Sequence, residues 1–385
     1  MIDYAKKAPG VYVEQVLAGT APIAGASTST AGFVGIAPTS IPSGLAPVGR
    51  VQLVTNFTEF KSAFGDFSTD SAQSNLAHAV YGFFNNGGSR CYVTWVAPSA
   101  GGVDIAPALA LLEPIDEISI VAAPGLTDPT HYAALVAHCA SMPERFAILD
   151  TARDLPNDNL SLLTATPGNN QTSLLPGNAD SAALYFPWIQ VFDPASKATK
   201  FVPPSGHMAG VYARVDGQRG VFKAPANEVI HGATDLRYAI SRQQQDGLNP
   251  QGVNCLRRVN GNIRVWGART VGGSANADFT YVNVRRLFNY IRGSIEQGTQ
   301  WAVFEPNNPD LWGRITRNVT AFLQIVWQSG GLIGETADKA FYVKCDAETN
   351  PPAVRDLGQV VTEVGVAITR PAEFVVFRLG QTAAS

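Results

Sequence analysis

Strand-like and helix-like segments alternate between Ala31 and Asp150, and this alternation limits the possible folds more than any other feature of the sequence. Runs rich in β-branched and aromatic residues, such as RCYVTWVA and RFAILD, are separated by segments with helical spacing, such as SNLAHAVYGFFNNGG. This pattern is typical of a sheet covered by helices. We therefore predict an α/β (α+β) fold.

Local signals predict where several helices begin. Asn56 or Thr58 precedes the apolar run of one helix, and Ser205 follows two prolines at the start of another. Asn, Ser and Thr side chains accept hydrogen bonds from the free backbone N–H groups at helix N-termini. We therefore predict one helix cap at Asn56 or Thr58 and another at Ser205.

Two segments in the C-terminal third have clear helical periodicity. Their apolar residues recur at intervals of three and four, which predicts one buried face on each helix. The predicted buried residues are Tyr281, Val284, Leu287, Phe288, Ile291 and Ile295 on the first helix, and Trp312, Ile315, Val319, Phe322, Leu323, Val326 and Trp327 on the second.

The two ends of the sequence predict extended strands. Residues 9–16 (PGVYVEQV) form a strand-like run with no obvious partner nearby, and a linker rich in Gly, Ala and Thr follows at 17–30. A strand on a flexible linker is suited to joining the sheet of another molecule. Near the other end, GQVVTEVGVAIT and EFVVFRL alternate with a period of two and predict two more strands.

Charge and pattern both change near residue 205. Residues 1–204 contain 9 Lys/Arg and 16 Asp/Glu, whereas residues 205–385 contain 19 and 15. A basic second half favours contact with an acidic partner, although ordinary solvated faces would give the same asymmetry. We predict four parts: a strand arm and linker (1–30), an inserted α/β domain (31–204), a core domain (205–358), and C-terminal strands with an arm (359–385).

Sequence signatures of catalysis and of metal binding are missing. The chain has no GxxxxGK[ST] phosphate loop, no GxGxxG and no GxSxG. His131 and His138 lie seven residues apart without a third ligand nearby, so core or surface histidines are the better interpretation. We therefore predict a protein that is not an enzyme and that binds no metal and no other cofactor.

The cysteines and the N-terminus indicate a protein of a reducing cytoplasm. No secretory signal precedes the first strand, and no run of about 18 apolar residues could span a membrane. The cysteines lack CxxC spacing, which predicts buried free thiols, with a disulfide pair left open. They are Cys91, Cys139, Cys255 and Cys345.

A colinear series of segments resembles contractile tail sheath proteins. The N-terminal ones are PGVYVEQV, STSTAGFVG, NFTEFKSAFG and AVYGFFNNGGSRCYVTWV. The later ones are GHMAGVYARVDGQRGVFKAPAN, NPQGVNCLRRVNGNIRVWGART, and the long run from YVNVRRLFNYIRGSIEQG through DLWGRITRNVTAFLQIVWQSGGLIG. FYVKCDAETN and GQVVTEVGVAITRPAEFVVFRLGQ close the series. Residues 205–380 are the most specific part, and residues 151–200 match poorly.

The resemblance implies a structural subunit with a C-terminal polymerising domain, an inserted outer α/β domain, and extended N- and C-terminal strand arms. Subunits are expected to form a helical homopolymer around an inner tube protein, alone or with sheath paralogues, between baseplate and terminal cap proteins. The extended polymer is metastable and contracts to drive the tube through a target envelope. Neither nucleic acid contact nor membrane insertion is expected. The resemblance implies that the particle is a phage tail or a released, extracellular phage-tail-like particle.

The strand arms are expected to pair with neighbouring subunits, because backbone hydrogen bonds keep subunits connected while a soft linker bends. The residues predicted to make these contacts are Val11, Tyr12, Val13 and Glu14 at the N-terminus, and Phe374, Val375, Val376 and Phe377 at the C-terminus.

Arginines on the two C-terminal helices are candidates for the contact with an acidic tube. Arg314 and Arg317 lie three residues apart, so they are neighbours on one helix surface. Arg285 and Arg292 are spaced by two turns on the other helix. Charge complementarity gives register and reversible binding. Ion pairs within the subunit are the alternative for each of these arginines.

Two other classes of protein compete with the sheath. An α/β enzyme would share the alternating pattern, but the sequence shows no nucleophile, phosphate loop or metal cluster. A tube or baseplate component would also be structural, but the length and the α/β region argue against a tube protein. Electron microscopy separates these classes, because a hollow, helically ridged cylinder indicates a sheath.

Overall fold

The computed structural model describes residues 22–98, 102–163, 177 and 179–374. The helices are α1 (Phe57–Phe64), α2 (Ser71–Asn85), α3 (Ala106–Leu112), α4 (Pro129–Ser141), α5 (Ser205–Arg219), α6 (Arg242–Leu248), α7 (Val282–Thr299), α8 (Pro309–Gln328), α9 (Ala337–Ala340) and α10 (Pro352–Arg355). The strands are β1 (Ala31–Ile36), β2 (Gln52–Val54), β3 (Cys91–Val96), β4 (Ile120–Ala122), β5 (Phe146–Asp150), β6 (Ala182–Phe186), β7 (Ile189–Asp193), β8 (Ala198–Val202), β9 (Asp235–Leu236), β10 (Val253–Val259), β11 (Asn262–Val265), β12 (Phe341–Lys344) and β13 (Glu363–Val366).

An eight-stranded sheet dominates the structure, with strand order β11-β10-β6-β5-β4-β1-β3-β2. The six inner strands run parallel, and β2 and β11 are antiparallel edges. A parallel sheet needs helical crossovers, which the alternating segments supply. The α/β prediction is therefore confirmed.

Apolar side chains are buried on both faces of this sheet. One face packs against α1, α2 and α5 through residues such as Phe33, Phe83 and Tyr212. The opposite face packs against α3, α4 and α6 through residues such as Val121 and Leu135. All four cysteines are buried and free, as the sequence predicted.

The domain boundary predicted between 204 and 205 is wrong, because the large sheet continues past it. Strand β10, at Val253–Val259, pairs in parallel with β6, at Ala182–Phe186. Helix α5 also packs on this sheet, where the Tyr212 hydroxyl lies 2.7 Å from that of Tyr185 on β6. It packs closely against α2 as well, since a Cβ on Gly206 would lie 2.3 Å from Ala79 Cα. The sheet domain therefore extends to about residue 271. The change in charge near residue 205 therefore lies inside this domain and does not mark its end.

The predicted cap at Ser205 is also wrong. Helix α5 begins at Ser205, so Pro204 occupies the cap position and no side chain caps the helix. Instead, Ser205 Oγ donates a hydrogen bond of 2.6 Å to the buried carboxylate of Asp150 at the end of β5. The prediction at α1 is confirmed at Asn56, whose side chain accepts from the Glu59 N–H at 3.0 Å.

The C-terminal domain, residues 272–374, has its own core between α7, α8 and the antiparallel pair β12–β13. On α8 the predicted stripe is buried, with Ile315, Val319 and Phe322 inside, except for Trp327, which is half-buried. On α7, Leu287 and Ile291 are buried as predicted, but Phe288 is 38% exposed. The α7 prediction failed there because a second, polar face of the helix is also buried, against the sheet domain.

Candidate functional site: the anchors of the terminal segments

The C-terminal segment is held by one carboxylate, which we call the C-terminal anchor. Glu373 accepts two hydrogen bonds from Arg269, of 2.9 Å at Oε1 and 2.6 Å at Oε2. Asn249 and Tyr281 donate two more, at 2.7 Å and 2.9 Å. Burial opposes ionisation of Glu373, but these hydrogen bonds outweigh it and lower the pKa of Glu373. The chain is therefore fixed to both domains one residue before Phe374, which is 72% exposed.

The N-terminal segment is held on α7, and we call these contacts the N-terminal anchor. Ile23 is buried in the C-terminal core against Gly298, where a Cβ would lie 2.6 Å away. The Ala26 N–H donates to Ser294 Oγ at 2.9 Å. The chain then enters β1 in the middle of the large sheet. One segment thus connects the two domains.

A buried ion pair joins the two domains beside this anchor. Arg286 on α7 donates to both carboxylate oxygens of Asp216 on α5, at 2.9 and 2.7 Å, and each side chain is only 4% exposed. Arg286 also donates to the Thr28 carbonyl at 2.7 Å and lies 4.7 Å from the centre of the Tyr212 ring. Burial disfavours the charge, but Asp216 outweighs burial and raises the pKa of Arg286.

The sheet formed by β12 and β13 has two strands in the described part of the chain. Tyr342 lies opposite Gly365 in the ladder, and its side chain is 58% exposed. Ile333, in the segment before α9, is 59% exposed. A two-stranded sheet with open edges offers backbone hydrogen-bonding groups to another strand.

The predicted arm residues are mostly outside the described residues. This applies to Val11, Tyr12, Val13 and Glu14, and to Val375, Val376 and Phe377. Phe374 is described and exposed. Its position next to the C-terminal anchor agrees with a segment that leaves the body of the subunit, but the arm pairing itself stays a prediction.

Three of the four arginines predicted to face the tube make ion pairs within the subunit. Arg285 lies 3.4 Å from Asp180 and Arg292 lies 3.3 Å from Glu144, so both reach the sheet domain. Arg314 lies 3.0 Å from Glu305 and stacks on Trp301. The alternative that the sequence left open, an ion pair within the subunit, therefore holds for these three arginines.

Arg317 differs from the other three arginines. It is exposed on α8 and makes no ion pair with any residue that the structure describes. However, the excess of Lys and Arg over Asp and Glu in residues 205–385 does not support Arg317 as a contact with an acidic tube. Residues 205–271 carry 9 Lys/Arg and 4 Asp/Glu, whereas residues 272–385 carry 10 and 11. The net excess therefore belongs to the sheet domain and not to the C-terminal region as a whole, although α7 and α8 themselves carry five Arg and two Asp/Glu.

The two histidines on α4 are core residues. The His131 side chain pairs with the Val103 carbonyl at 2.8 Å. His138 accepts a hydrogen bond of 2.8 Å from Arg145, and burial followed by the nearby Arg145 charge lowers the pKa of His138 to about 4. Within the described ranges, no three His, Cys, Asp or Glu side chains are placed to hold a metal ion. None of the described helices has the length and apolar content to cross a membrane.

Sequence reasoning missed the residues that build the anchors. Asp216, Arg269 and Glu373 lie in segments where charged side chains read as solvated surface. Arg286 could have been noticed, because it precedes Leu287 on the buried side of α7. No local pattern identifies its partner, which is 70 residues away in the chain.

Comparison with known proteins gives matches to both domains. Residues 99–271 match the phage tail sheath protein central domain, and residues 274–382 match the phage tail sheath C-terminal domain. The junction between the two matches coincides with the end of the large sheet. This agreement supports a domain boundary near residue 272.

One relative is a putative prophage major tail sheath protein of Pseudomonas aeruginosa (strain UCBPP-PA14). It is 26% identical over 244 residues, which are 60% of this chain and 61% of that protein. The chain spans less than two thirds of the length of the curated relatives it matches.

Solved structures match over almost the whole chain. The PVC sheath complex of an extracellular contractile injection system, in the contracted state, has a TM-score of 0.79 at 27% identity and covers 98% of each chain. The helical sheath of the anti-feeding prophage, also contracted, has a TM-score of 0.77 at 28% identity, over 98% of this chain and 100% of that one. With the two domain matches, these similarities establish that the chain belongs to the contractile tail sheath family of structural proteins.

Proposed function

We propose that this protein is the sheath subunit of a contractile injection machine. It polymerises as helical rings around an inner tube in an extended, metastable state, and contraction drives the tube through a target envelope. The observation that carries this proposal is the sheet β12–β13, which has two strands in the described part of the chain. The N-terminal segment of the same subunit is anchored on α7, and its C-terminal segment is anchored by Arg269, Asn249 and Tyr281. Such a subunit can give strands to its neighbours and receive strands from them.

The strand exchange would use the predicted arms. Residues 11–14 and 374–377 of one subunit are proposed to add to the edges of β12 and β13 in others. The two anchors support this role, because a strand that carries force must be attached firmly where it leaves the body. The part of the predicted linker (17–30) that precedes Ile23 would then bend while the paired strands stay in place, because the N-terminal anchor holds residues 23–28.

The two domains are proposed to face opposite sides of the sheath. The sheet domain would face outward, with its boundary moved to about residue 271, and the C-terminal domain would face the tube. Arg317 is the preferred tube contact, because it is exposed on α8 and makes no ion pair with a described residue. Its neighbour Arg314 is 37% exposed and would have to exchange Glu305 for a partner on the tube. Arg285 and Arg292 are less suited to that contact, since their ion pairs hold them against the sheet domain.

The remaining partners and the location follow from this role. Baseplate and terminal cap proteins would bind the two ends of the polymer. Sheath paralogues could contribute subunits to the same polymer. The particle would be assembled in the bacterial cytoplasm and serve as a phage tail or be released. A purely structural subunit needs no catalytic site, so no enzymatic activity is proposed.

Deleting residues 1–20 tests the proposal. The expected product is a folded monomer with an unchanged circular dichroism spectrum, because the anchor at residues 23–28 is intact, but no polymer in negative-stain electron microscopy. The full chain should form hollow, helically ridged cylinders. Ordinary cylinders from the deleted chain would refute the role of the N-terminal arm.

A further inference from the structure

Two arginines lie side by side at the edge of the large sheet, and no described acidic residue forms an ion pair with either. Arg257 on β10 is the direct cross-strand partner of Arg264 on β11. Like charges in opposing positions destabilise a sheet. Neither arginine forms an ion pair with a described carboxylate. The Arg257 guanidinium donates to Gln245 Oε1 at 3.0 Å, and that of Arg264 donates to the Asn227 carbonyl at 2.8 Å.

The surface around this pair is also basic and contains an aromatic ring. Arg242 lies one turn before Gln245 on α6 and is exposed. Trp266 follows two residues after Arg264 and is 38% exposed. The one acidic neighbour on α6, Asp246, makes no ion pair in the described structure. Arg242, Arg257, Arg264 and Trp266 are together called the basic hairpin surface.

A complementary acidic surface exists on the same domain. Glu113 and Asp116 lie in the turn between α3 and β4, both are exposed, and neither forms an ion pair within the described ranges. Strand β4 is three strands from β10 in the sheet, about 15 Å at the usual spacing of about 4.8 Å. Both surfaces are therefore available on one subunit.

We propose that the basic hairpin surface of one subunit binds the acidic turn at Glu113 and Asp116 of a second copy. Because the two surfaces differ, the contact is head-to-tail, and repeated head-to-tail contacts generate an open helical array rather than a closed dimer. This inference rests on the proposed function, which requires such an array. Exposed charges of this kind set register and association rate, while Trp266 supplies the apolar anchor.

The test is a charge swap between two chains. R257E/R264E alone and E113K/D116K alone should each raise the protein concentration needed for polymerisation at least tenfold, with thermal melting unchanged. An equimolar mixture should polymerise within threefold of the unmodified protein, since each reversed surface then meets its complement. R219E/R355E is the matched control, because it reverses two exposed arginines elsewhere and should polymerise normally.

Several outcomes would overturn the inference. The inference is wrong if R257E/R264E polymerises like the control, or if the mixture stays unpolymerised although both variants fold. It is also wrong if R257E/R264E sheaths form normally but lose the tube. If charge reversal unfolds the chain, R257Q/R264Q serves instead and should polymerise with a weaker dependence on salt. An unmodified chain that never polymerises would refute the proposed function itself, which keeps the two failures distinct.

Discussion

The sheet domain and the C-terminal domain differ in how completely each covers its own β-sheet. The sheet domain covers both faces of its sheet with helices and also covers the edge strand β11, through backbone hydrogen bonds from residues 227–230. In the part of the chain that the structure describes, the C-terminal domain has one core and a two-stranded sheet, and such a sheet is marginally stable on its own. The described sheet of this domain is therefore less completely covered than the large sheet.

Exposed apolar side chains follow the same division. In the described part of the sheet domain, the large ones are Val48, Tyr81, Leu111, Phe192 and Trp266. In the much shorter C-terminal domain they are Phe288, Val303, Phe304, Ile325, Ile333, Tyr342, Leu357, Val361 and Phe374. Such a concentration of apolar surface marks a region that binds partners. We infer that the C-terminal domain offers the apolar and strand contacts between subunits, whereas the sheet domain has the more complete core.

The largest expected effect is a loss of stability in the sheet domain. Trp95 is fully buried and donates to the Ala46 carbonyl at 3.1 Å, so Trp95→Ala should lower the free energy of unfolding by about 3–5 kcal/mol. Tyr342→Ser, at an exposed site, should cost only about 0.5 kcal/mol but should block polymerisation. Chemical denaturation and electron microscopy measure both. If Tyr342→Ser lowers the free energy of unfolding as much as Trp95→Ala does, the difference drawn between the two domains is wrong.

The seam between the domains should give the next largest effect. Arg286→Met leaves the Asp216 carboxylate buried without its partner, which should cost about 3 kcal/mol. The double variant D216L/R286M should lose less, because it removes the unpaired charge as well. Urea denaturation of the wild type, both single variants and the double variant gives the coupling energy. A double variant no more stable than R286M would show that packing, and not charge pairing, joins the domains.

The C-terminal anchor should contribute less to stability but more to assembly. Glu373→Gln removes a charge that accepts four hydrogen bonds, at a cost of roughly 1–3 kcal/mol. Because the folded pKa of Glu373 is lowered, its contribution is complete above the unfolded pKa of about 4.3 and is lost as pH falls through the folded value. The stability difference between wild type and variant should therefore be full at pH 7 and shrink below about pH 4.

The matched control for this anchor is Glu296→Gln, an exposed carboxylate on α7. It should change neither stability nor sheath formation. Sheaths of Glu373→Gln are expected to break when contraction is triggered. A variant that loses stability at every pH equally would indicate that the carboxylate charge of Glu373 is not what holds the segment.

The smallest effect on the subunit is expected at the proposed tube contact. R314E/R317E removes one exposed ion pair, so the free energy of unfolding should change by about 1 kcal/mol or less. The sheaths should nevertheless assemble empty or already contracted, because the contact is repeated in every ring. R219E/R355E is again the control. Extended, tube-filled particles that fire normally would exclude these arginines as the tube contact.

The sequence alone determined the features that depend on neighbours in the chain. The buried stripe of α8, the cap at Asn56 and the alternation of helices with parallel strands all follow from the spacing of residues within one segment. The similarity to sheath proteins was also visible in the order of such segments. These features are decided locally, so a local pattern is enough to predict them.

Only the tertiary structure decided which segments share a domain and which charges are buried. Strand β10 pairs with β6 across the domain boundary that the change in charge had predicted. Ser205 donates to Asp150 instead of capping helix α5. Arg286 and Glu373 are ionised inside the protein. Each of these outcomes depends on a partner between 55 and 104 residues away. Whether a charged side chain is buried and paired depends on the residues that the fold brings next to it. Those residues are distant in the chain, so the spacing of residues within one segment cannot predict them.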